Sequence, residues 1–144
     1  NLNKKQIEKK LKETIPNKIL MVAEAIRKKI NLKRIYTLSK IDPWFLEQIK
    51  GMVDCETKIK NKGLPKEFAE FNKIKSIGFS DKKLSELTRT SEDIIRRKRS
   101  ALKILPVYKK VDTCAAEFKS FTPYMYSTYQ RNFSNVNLGI LVTT

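Results

Sequence analysis

The hydrophobic and polar positions of the chain alternate with a helical period over most of its first hundred residues. Apolar residues recur three and four positions apart, the spacing that places them on one face of an α-helix. Residues 4–14 show this spacing at Ile7 and Leu11, and Pro16 interrupts it. A second stretch follows Asn17, which can cap it. Its apolar stripe comprises Ile19, Leu20, Val22, Ala23 and Ile26.

Helix start and stop signals divide the next residues into further predicted helices. Asp42 can accept hydrogen bonds from free backbone N–H groups and Pro43 suits the first helical position, so a long helix is predicted to begin there. Trp44 and Phe45 are expected to anchor it in the core. The rest of its predicted buried side is Ile49, Met52, Val53 and Ile59. The other predicted starts are Asn31, Pro65, Ser80 and either Thr90 or Ser91, and the predicted stops are Gly63 and Gly78.

Two later predicted helices carry apolar pairs. The helix predicted to open at Pro65 has Phe68 and Phe71 on its apolar face, and the last clear helix has Ile94 and Ile95. Together these patterns predict an all-α fold, a small irregular bundle of about six to seven helices with an extended, Tyr-rich C-terminal segment.

The pattern changes after Leu105, where tyrosines and β-branched residues replace the helical period. Pro106 and Pro123 break this stretch, which is expected to be extended apart from a short helix around Cys114–Phe118. The final NVNLGILVTT is apolar and predicts a strand for which no partner is identifiable. We therefore divide the chain into an N-terminal extension, 1–15, a helical domain, 16–118, and an extended segment, 119–144.

Charge adds a second hypothesis. The chain carries 31 Lys+Arg against 15 Asp+Glu, a net charge of +16, which by itself favours a polyanionic partner. Residues Ser80–Leu102 also outline a helix-turn-helix with a basic cluster at Arg96–Arg99. However, Glu92 and Asp93 occupy the end of the second helix that would meet DNA, and most basic residues are lysines scattered between apolar positions. A pair of packed helices is the favoured interpretation, with a helix-turn-helix DNA-binding protein as the alternative.

Composition excludes several kinds of active site. The chain has no His and only four Gly, with no Gly-rich loop, so His-based triads, P-loops and dinucleotide fingerprints are excluded. Cys114 lies near Glu117, but its neighbours Ala115 and Ala116 favour a small buried thiol over a nucleophile. Cys55 and Cys114 have no metal-ligand spacing. We predict no catalytic, cofactor-binding or metal-ligating residue in this chain.

The tyrosines of the C-terminal segment are the strongest candidates for an interface. Tyrosine combines an apolar ring with a polar tip, which suits half-buried contact surfaces. The residues concerned are Tyr108, Tyr124, Tyr126 and Tyr129. They could cover a surface between domains or cap the core of this domain, and the pattern leaves both possibilities open.

Four long strings of residues carry a family resemblance. They are SKIDPWFLEQI (Ser39–Ile49), IGFSDKKLSEL (Ile77–Leu87), LPVYKKVDTCAAEF (Leu105–Phe118) and TPYMYSTY (Thr122–Tyr129). These strings resemble the oligomerisation domain of the carbamoyl-phosphate synthase large subunit, a helical module between two ATP-grasp halves. The resemblance covers roughly residues 17–129. Gln130 stands where the family usually has an acidic residue, and the residues after it do not match.

The resemblance implies a non-catalytic scaffold. The family's large subunit makes carbamoyl phosphate, for arginine and pyrimidine synthesis, from bicarbonate, ammonia and two ATP. ATP and divalent metal would be bound in the ATP-grasp halves, which this chain lacks, so a fragment or stand-alone piece is expected. The structural and interface residues that we predict are Asp42, Pro43, Trp44, Phe45, Gly78, Pro106, Tyr108, Asp112, Cys114, Ala115, Ala116, Glu117, Phe118, Tyr124, Tyr126 and Tyr129.

The expected partners follow from the same resemblance. They are the ATP-grasp halves of the same large subunit, a second copy of the chain and, in the parent complex, a glutaminase small subunit. A nucleic-acid partner is disfavoured by the scatter of the lysines. The charged N-terminal residues contain no signal-peptide core and no window is apolar enough to span a membrane, so a cytoplasmic location is expected.

Overall fold

A computed structural model describes residues 2–111 and 124–129, and these residues fold mainly into helices. The helices are α1 (Lys4–Lys12), α2 (Lys18–Arg27), α3 (Leu32–Ser39), α4 (Pro43–Lys62), α5 (Phe68–Ile77), α6 (Asp81–Thr88) and α7 (Glu92–Ala101). Two short strands, β1 (Val107–Lys110) and β2 (Met125–Thr128), pair antiparallel. The predicted all-α class with an extended C-terminal segment is confirmed. Among the described residues, no helix is both long enough and apolar enough to cross a lipid bilayer.

Two apolar clusters form the core, and α4 contributes to both. The first cluster lies among α1, α2, α3 and the start of α4; its buried members are Ile7, Leu11, Val22, Ala25, Ile35, Leu38 and Leu46. The second lies among the end of α4, α5, α6, α7 and the residues just after α7; its buried members are Ile59, Phe71, Ile74, Phe79, Leu84, Ile95 and Ile104. The long helix is therefore the common wall of both clusters.

Most of the predicted helix starts are confirmed by side-chain caps. The Asp42 carboxylate accepts from the backbone N–H of Trp44 at 2.8 Å, with Pro43 as the first helical residue. Asn31, Ser80 and Ser91 cap α3, α6 and α7 in the same way. Each cap satisfies a backbone donor that has no partner inside the helix.

Two predicted starts were wrong in detail. Asn17 precedes α2, but its side chain makes no capping hydrogen bond because its backbone is not in the extended conformation that aims such a cap. The helix predicted to open at Pro65 begins instead at Phe68, since Glu67 still has an extended backbone. The predicted stops at Gly63 and Gly78 are confirmed, and both glycines have positive φ angles that other residues rarely adopt.

The predicted role of Trp44 and Phe45 as core anchors was wrong. Trp44 is 62% exposed and Phe45 is 56% exposed. The stripe of α4 that faces the core runs instead through Leu46 and Val53. Trp44 and Phe45 lie two positions and one position before Leu46, so they point to other sides of the helix.

Other predicted apolar stripes were also too wide. A helix that packs on its neighbours buries a limited arc of its surface, so the flanking apolar residues stay outside. The predicted core residues that are exposed are Ile19, Leu20, Met52, Phe68 and Ile94.

The first fifteen residues pack into the domain. Ile7 and Leu11 of α1 are fully buried in the first cluster, and Glu8 of α1 forms an ion pair of 2.9 Å with Arg34 of α3. The division at residues 15 and 118 stays a prediction. The strand predicted in NVNLGILVTT and the helix predicted around Cys114–Phe118 lie outside the described residues.

Replacing Phe71 with Ala is expected to lower the free energy of unfolding by about 3–5 kcal/mol, the usual loss for a fully buried phenylalanine. Phe71 has no exposed surface, whereas Phe68 on the same helix is 39% exposed. Phe68→Ala is therefore the matched control, with a loss of less than half that size. Urea unfolding followed by circular dichroism measures both, and equal losses would contradict the assignment of Phe71 to the core.

Candidate interaction surface

The two strands form a ribbon that presents tyrosines to solvent. We call residues 105–111 and 124–129 the tyrosine ribbon. Tyr108 lies opposite Ser127 and Lys109 lies opposite Tyr126, and the Val111 N–H donates to the Tyr124 carbonyl at 2.7 Å. Because neighbouring residues in a strand point to opposite faces, Tyr108 and Tyr126 lie on opposite faces of the ribbon.

The predicted interface residues of the ribbon fall into two groups. Tyr108, Tyr124 and Tyr126 are exposed. Tyr129 is half-buried and packs against the second core cluster, so it caps this domain's own core. Pro106 is half-buried at the start of the ribbon. The remaining predicted residues lie outside the described part of the chain; they are Asp112, Cys114, Ala115, Ala116, Glu117 and Phe118.

A second apolar surface lies between α2 and α4. A groove of about 290 Å³ runs along these helices and is closed on one side by Gly78, Phe79, Ser80 and Lys83. Its apolar walls are Ile19, Leu20, Ala23, Ile49, Met52, Val53 and Phe79. Near Met52 it is bordered by an ionic network in which Glu56 accepts from Arg27 at 2.7 Å and pairs with Lys83 at 3.3 Å. We call this surface the α2–α4 groove.

Trp44 and Phe45 extend the exposed apolar surface toward the start of α4. Their rings pack edge to face, with centroids 4.9 Å apart, an arrangement that aromatic pairs favour. Asp42 and Pro43 hold this first helical turn in place through the cap described above. The sequence singled out all of these residues, but it assigned the two aromatic rings to the core.

A buried ionic cluster joins α5, α6 and α7. Lys75 donates from Nζ to the Phe79 carbonyl and to Asp81 Oδ1, both at 2.7 Å. Arg99 donates from Nε to Asp81 Oδ2 at 3.1 Å. The Tyr129 ring lies over both cations, with its centroid 4.9 Å from Lys75 Nζ and 5.9 Å from Arg99 Cζ. We call Lys75, Asp81 and Arg99 the ionic triad.

The triad is well shielded from water. Only 4% of the Lys75 side chain is exposed, and 12% of the Asp81 side chain. Burial alone would raise the pKa of Asp81, but the hydrogen bonds and charges of Lys75 and Arg99 outweigh it and lower that pKa below its usual value. Breaking such a buried pair typically costs about 3–5 kcal/mol because the remaining charge is left without compensation.

No metal-binding cluster exists among the residues that the structure describes, since nowhere do three His, Cys, Asp or Glu side chains converge. Burial raises the pKa of the Cys55 thiol despite the opposing charges of Lys58 and Lys73. A raised pKa disfavours the reactive thiolate, so Cys55 has the character of a packing residue.

The family profile for "Carbamoyl-phosphate synthetase large chain, oligomerisation domain" matches residues 1–103. This match covers most of the chain and all seven described helices. The chain belongs to this oligomerisation-domain family. The resemblance seen in the sequence is thereby confirmed.

Curated relatives agree with this oligomerisation-domain assignment. The carbamoyl phosphate synthase large chain of Mesorhizobium japonicum is 46% identical over 119 residues, which is 83% of this chain and 10% of the relative. Those of Haemophilus ducreyi and Neisseria meningitidis serogroup B are 45% and 43% identical over 125 and 129 residues, or 86% and 89% of this chain and 12% of each relative. The chain thus spans about a tenth of the length of these relatives.

The helix-turn-helix alternative gains nothing from these comparisons. Helices α6 and α7 do follow each other through a short turn. However, Arg99 belongs to the ionic triad, and Arg96 lies 3.6 Å from both Glu92 and Asp93 at the helix start. In this oligomerisation domain Arg96 and Arg99 of the basic cluster therefore form ion pairs within the chain.

Sequence reasoning missed the ionic triad of the oligomerisation domain and the exposed wall of its α2–α4 groove. The sequence pattern treated the lysines as solvated. One local signal for the burial of Lys75 existed, because Lys75 lies four residues after Phe71 and therefore on the same side of α5. The pairing of Arg99 with Asp81 joins residues that are 18 positions apart and had no local signal.

The stability of the domain is expected to fall as the pH is lowered from about 6 to about 2. Asp81 has a folded pKa below its ordinary value of 3.8, so its contribution is present above that value and is lost as the pH falls through the lower folded pKa. The lowered pKa of Glu56 acts in the same direction. Asp81→Asn should make the dependence shallower, whereas Asp93→Asn, at an exposed position, should not. Urea unfolding across this pH range measures the slopes, and an unchanged slope in Asp81→Asn would refute the role given to Asp81.

Proposed function

We propose that this chain is the non-catalytic scaffold of a carbamoyl phosphate synthase large chain. In that protein it would join two ATP-grasp halves, which bind ATP and divalent metal and make carbamoyl phosphate for arginine and pyrimidine synthesis. A glutaminase small subunit would supply the ammonia, and the complex would work in the cytoplasm. The observation that supports this proposal is the family match over residues 1–103 of a chain that equals about a tenth of its relatives' length.

The tyrosine ribbon is the surface that we assign to a neighbouring half of the large chain. Tyr108, Tyr124 and Tyr126 offer exposed rings with polar tips on both faces of the ribbon. Surfaces of this composition suit contacts between domains, which are more polar than a core. The ribbon would lie against a body that the described residues do not include.

The isolated chain is expected to show no ATP turnover with bicarbonate and ammonia. A large chain that contains this domain between two ATP-grasp halves should hydrolyse ATP in a bicarbonate-dependent manner and form carbamoyl phosphate. Coupled measurement of ADP release and radiolabelled bicarbonate incorporation checks both proteins under the same conditions. Turnover by the isolated chain would contradict the scaffold assignment, and an inactive large chain would contradict the proposed enzyme.

Self-association is the second part of the proposal, and we assign it to the α2–α4 groove. Ile19 and Leu20 on one helix and Met52 on the other are exposed apolar residues along one surface. Two copies related by a twofold axis could pack these helix pairs against each other as in a four-helix arrangement. The net charge of +16 on each copy opposes this contact, because like charges repel over about 10 Å in 0.1 M salt and over longer distances at lower salt.

Sedimentation of the chain over a wide concentration range should show reversible association that strengthens with added salt. Salt screens the repulsion between copies, whereas binding to DNA would weaken with salt as counterions are released. Leu20→Ser combined with Met52→Ser should weaken the association by roughly tenfold or more. Tyr126→Ser on the ribbon is the matched control and should leave it unchanged. A strict monomer at all concentrations, or weakening only in Tyr126→Ser, would refute the assigned surface.

A further inference from the structure

The tyrosine ribbon is attached to the helical body at two places that lie together. The chain enters the ribbon after Ile104, which is fully buried in the second core cluster. It returns at Tyr129, which packs against the same cluster. We call Ile104 and Tyr129 the two roots of the ribbon. Between them, Tyr108, Tyr124 and Met125 are exposed. The helical body therefore contacts the ribbon at its two roots, while much of the ribbon between them is exposed.

One side chain contacts both roots. The guanidinium of Arg99 donates from Nη1 to the Ile104 carbonyl at 2.9 Å, and the Tyr129 ring lies 5.9 Å above its Cζ atom. Its Nε donates to Asp81, which also accepts a hydrogen bond from Lys75. The fork geometry of arginine makes these simultaneous contacts possible, since its donors diverge from one rigid plane that also stacks on aromatic rings.

The charge of the triad explains why an aromatic ring closes it. Lys75 and Arg99 carry two positive charges against the single carboxylate of Asp81, so the cluster has an excess of one positive charge. The face of an aromatic ring is electronegative and attracts cations within about 6 Å. The Tyr129 ring thus stabilises a buried excess charge that an aliphatic side chain would leave uncompensated.

We infer that Arg99 and Tyr129 form a latch that pins both roots of the ribbon and so fixes the orientation of its exposed tyrosines relative to the helices. Arg99 is a positioning residue in this arrangement, acting on the ribbon rather than on any partner. The inference goes beyond the proposed scaffold function. It concerns the chain alone and holds whether or not the ribbon meets a catalytic half.

Hydrogen exchange of individual backbone amides in the 144-residue chain tests the latch. In Arg99→Lys the amide of Val111, which closes the ribbon against Tyr124, should lose protection by roughly fivefold to thirtyfold, the factor that corresponds to a cation–π contact in a shielded site. The amide of Ile35 in the first cluster should not change. Arg96→Lys is the matched control, because Arg96 lies one turn earlier on α7 and pairs only with residues of its own helix in the ion pairs described above.

Selectivity distinguishes a latch from general stabilisation. If Arg99 merely stabilises the second cluster, the amides of α5 and α7 will lose as much protection as Val111, and the inference is overturned. Unchanged protection of Val111 in Arg99→Lys would overturn it as well.

A pair of substitutions at Tyr129 keeps the inference testable if Arg99→Lys does not fold. Tyr129→Phe retains the aromatic face and should keep the protection of Val111. Tyr129→Leu retains an apolar side chain without that face and should lose protection by a factor similar to that of Arg99→Lys. Equal protection in the Phe and Leu variants would overturn the role of the ring. Where Arg99→Lys folds, the two losses should be less than additive when it is combined with Tyr129→Leu, since both changes open the same latch.

Discussion

The carboxylate of Asp81 is the group on which the second half of the structure depends. Asp81 is the first residue of α6, and its two carboxylate oxygens form ion pairs with Lys75 of α5 and Arg99 of α7. Three helices are thereby tied to one side chain within a largely dry environment. Charges buried in this way are stable only when each has a partner with good geometry. The Phe79 carbonyl accepts a further hydrogen bond from Lys75, and the Ile104 carbonyl accepts one from Arg99. The chain segments that follow α5 and α7 are therefore connected to the same group.

Helix α4 and its carboxylate Glu56 connect the two core clusters. Helix α4 contributes buried residues to both, Leu46 to the first and Ile59 to the second. Glu56 adds a polar link on the surface, because it pairs with Arg27 of α2 and with Lys83 of α6. The pair with Arg27 reaches toward the first cluster and the pair with Lys83 toward the second. One carboxylate of α4 therefore contacts helices of both halves, and it borders the groove that we assign to self-association.

The sequence predicted the elements that depend on local chemistry. Asp42, Asn31 and Ser80 cap helices because their side-chain oxygens accept hydrogen bonds from backbone N–H groups that have no partner in the first turn. The burial of Ile7 and Leu11 follows from their spacing alone. Trp44 and Phe45 were misplaced because hydrophobicity does not tell which arc of α4 faces the core. The pairing of residues 107–110 with 125–128 joins distant parts of the chain and leaves no local pattern. The same is true of the pairing of Arg99 with the Asp81 carboxylate that Lys75 also contacts. For Tyr129 the sequence left open a surface between domains and a cap on this domain's own core, and its ring lies against the ionic triad.

These contacts indicate where the net charge of +16 lies in the fold. Lys75 and Arg99, which are largely buried, are paired with Asp81, and Arg27 and Lys83 are paired with Glu56. The surplus positive charge is therefore left to the outer surface, where it repels every other copy of the chain. An association through the α2–α4 groove must overcome this repulsion by burying apolar surface, which contributes about 25 cal/mol per Å². Two such domains would then associate weakly alone and more strongly within a larger protein that supplies compensating acidic surface or a second contact.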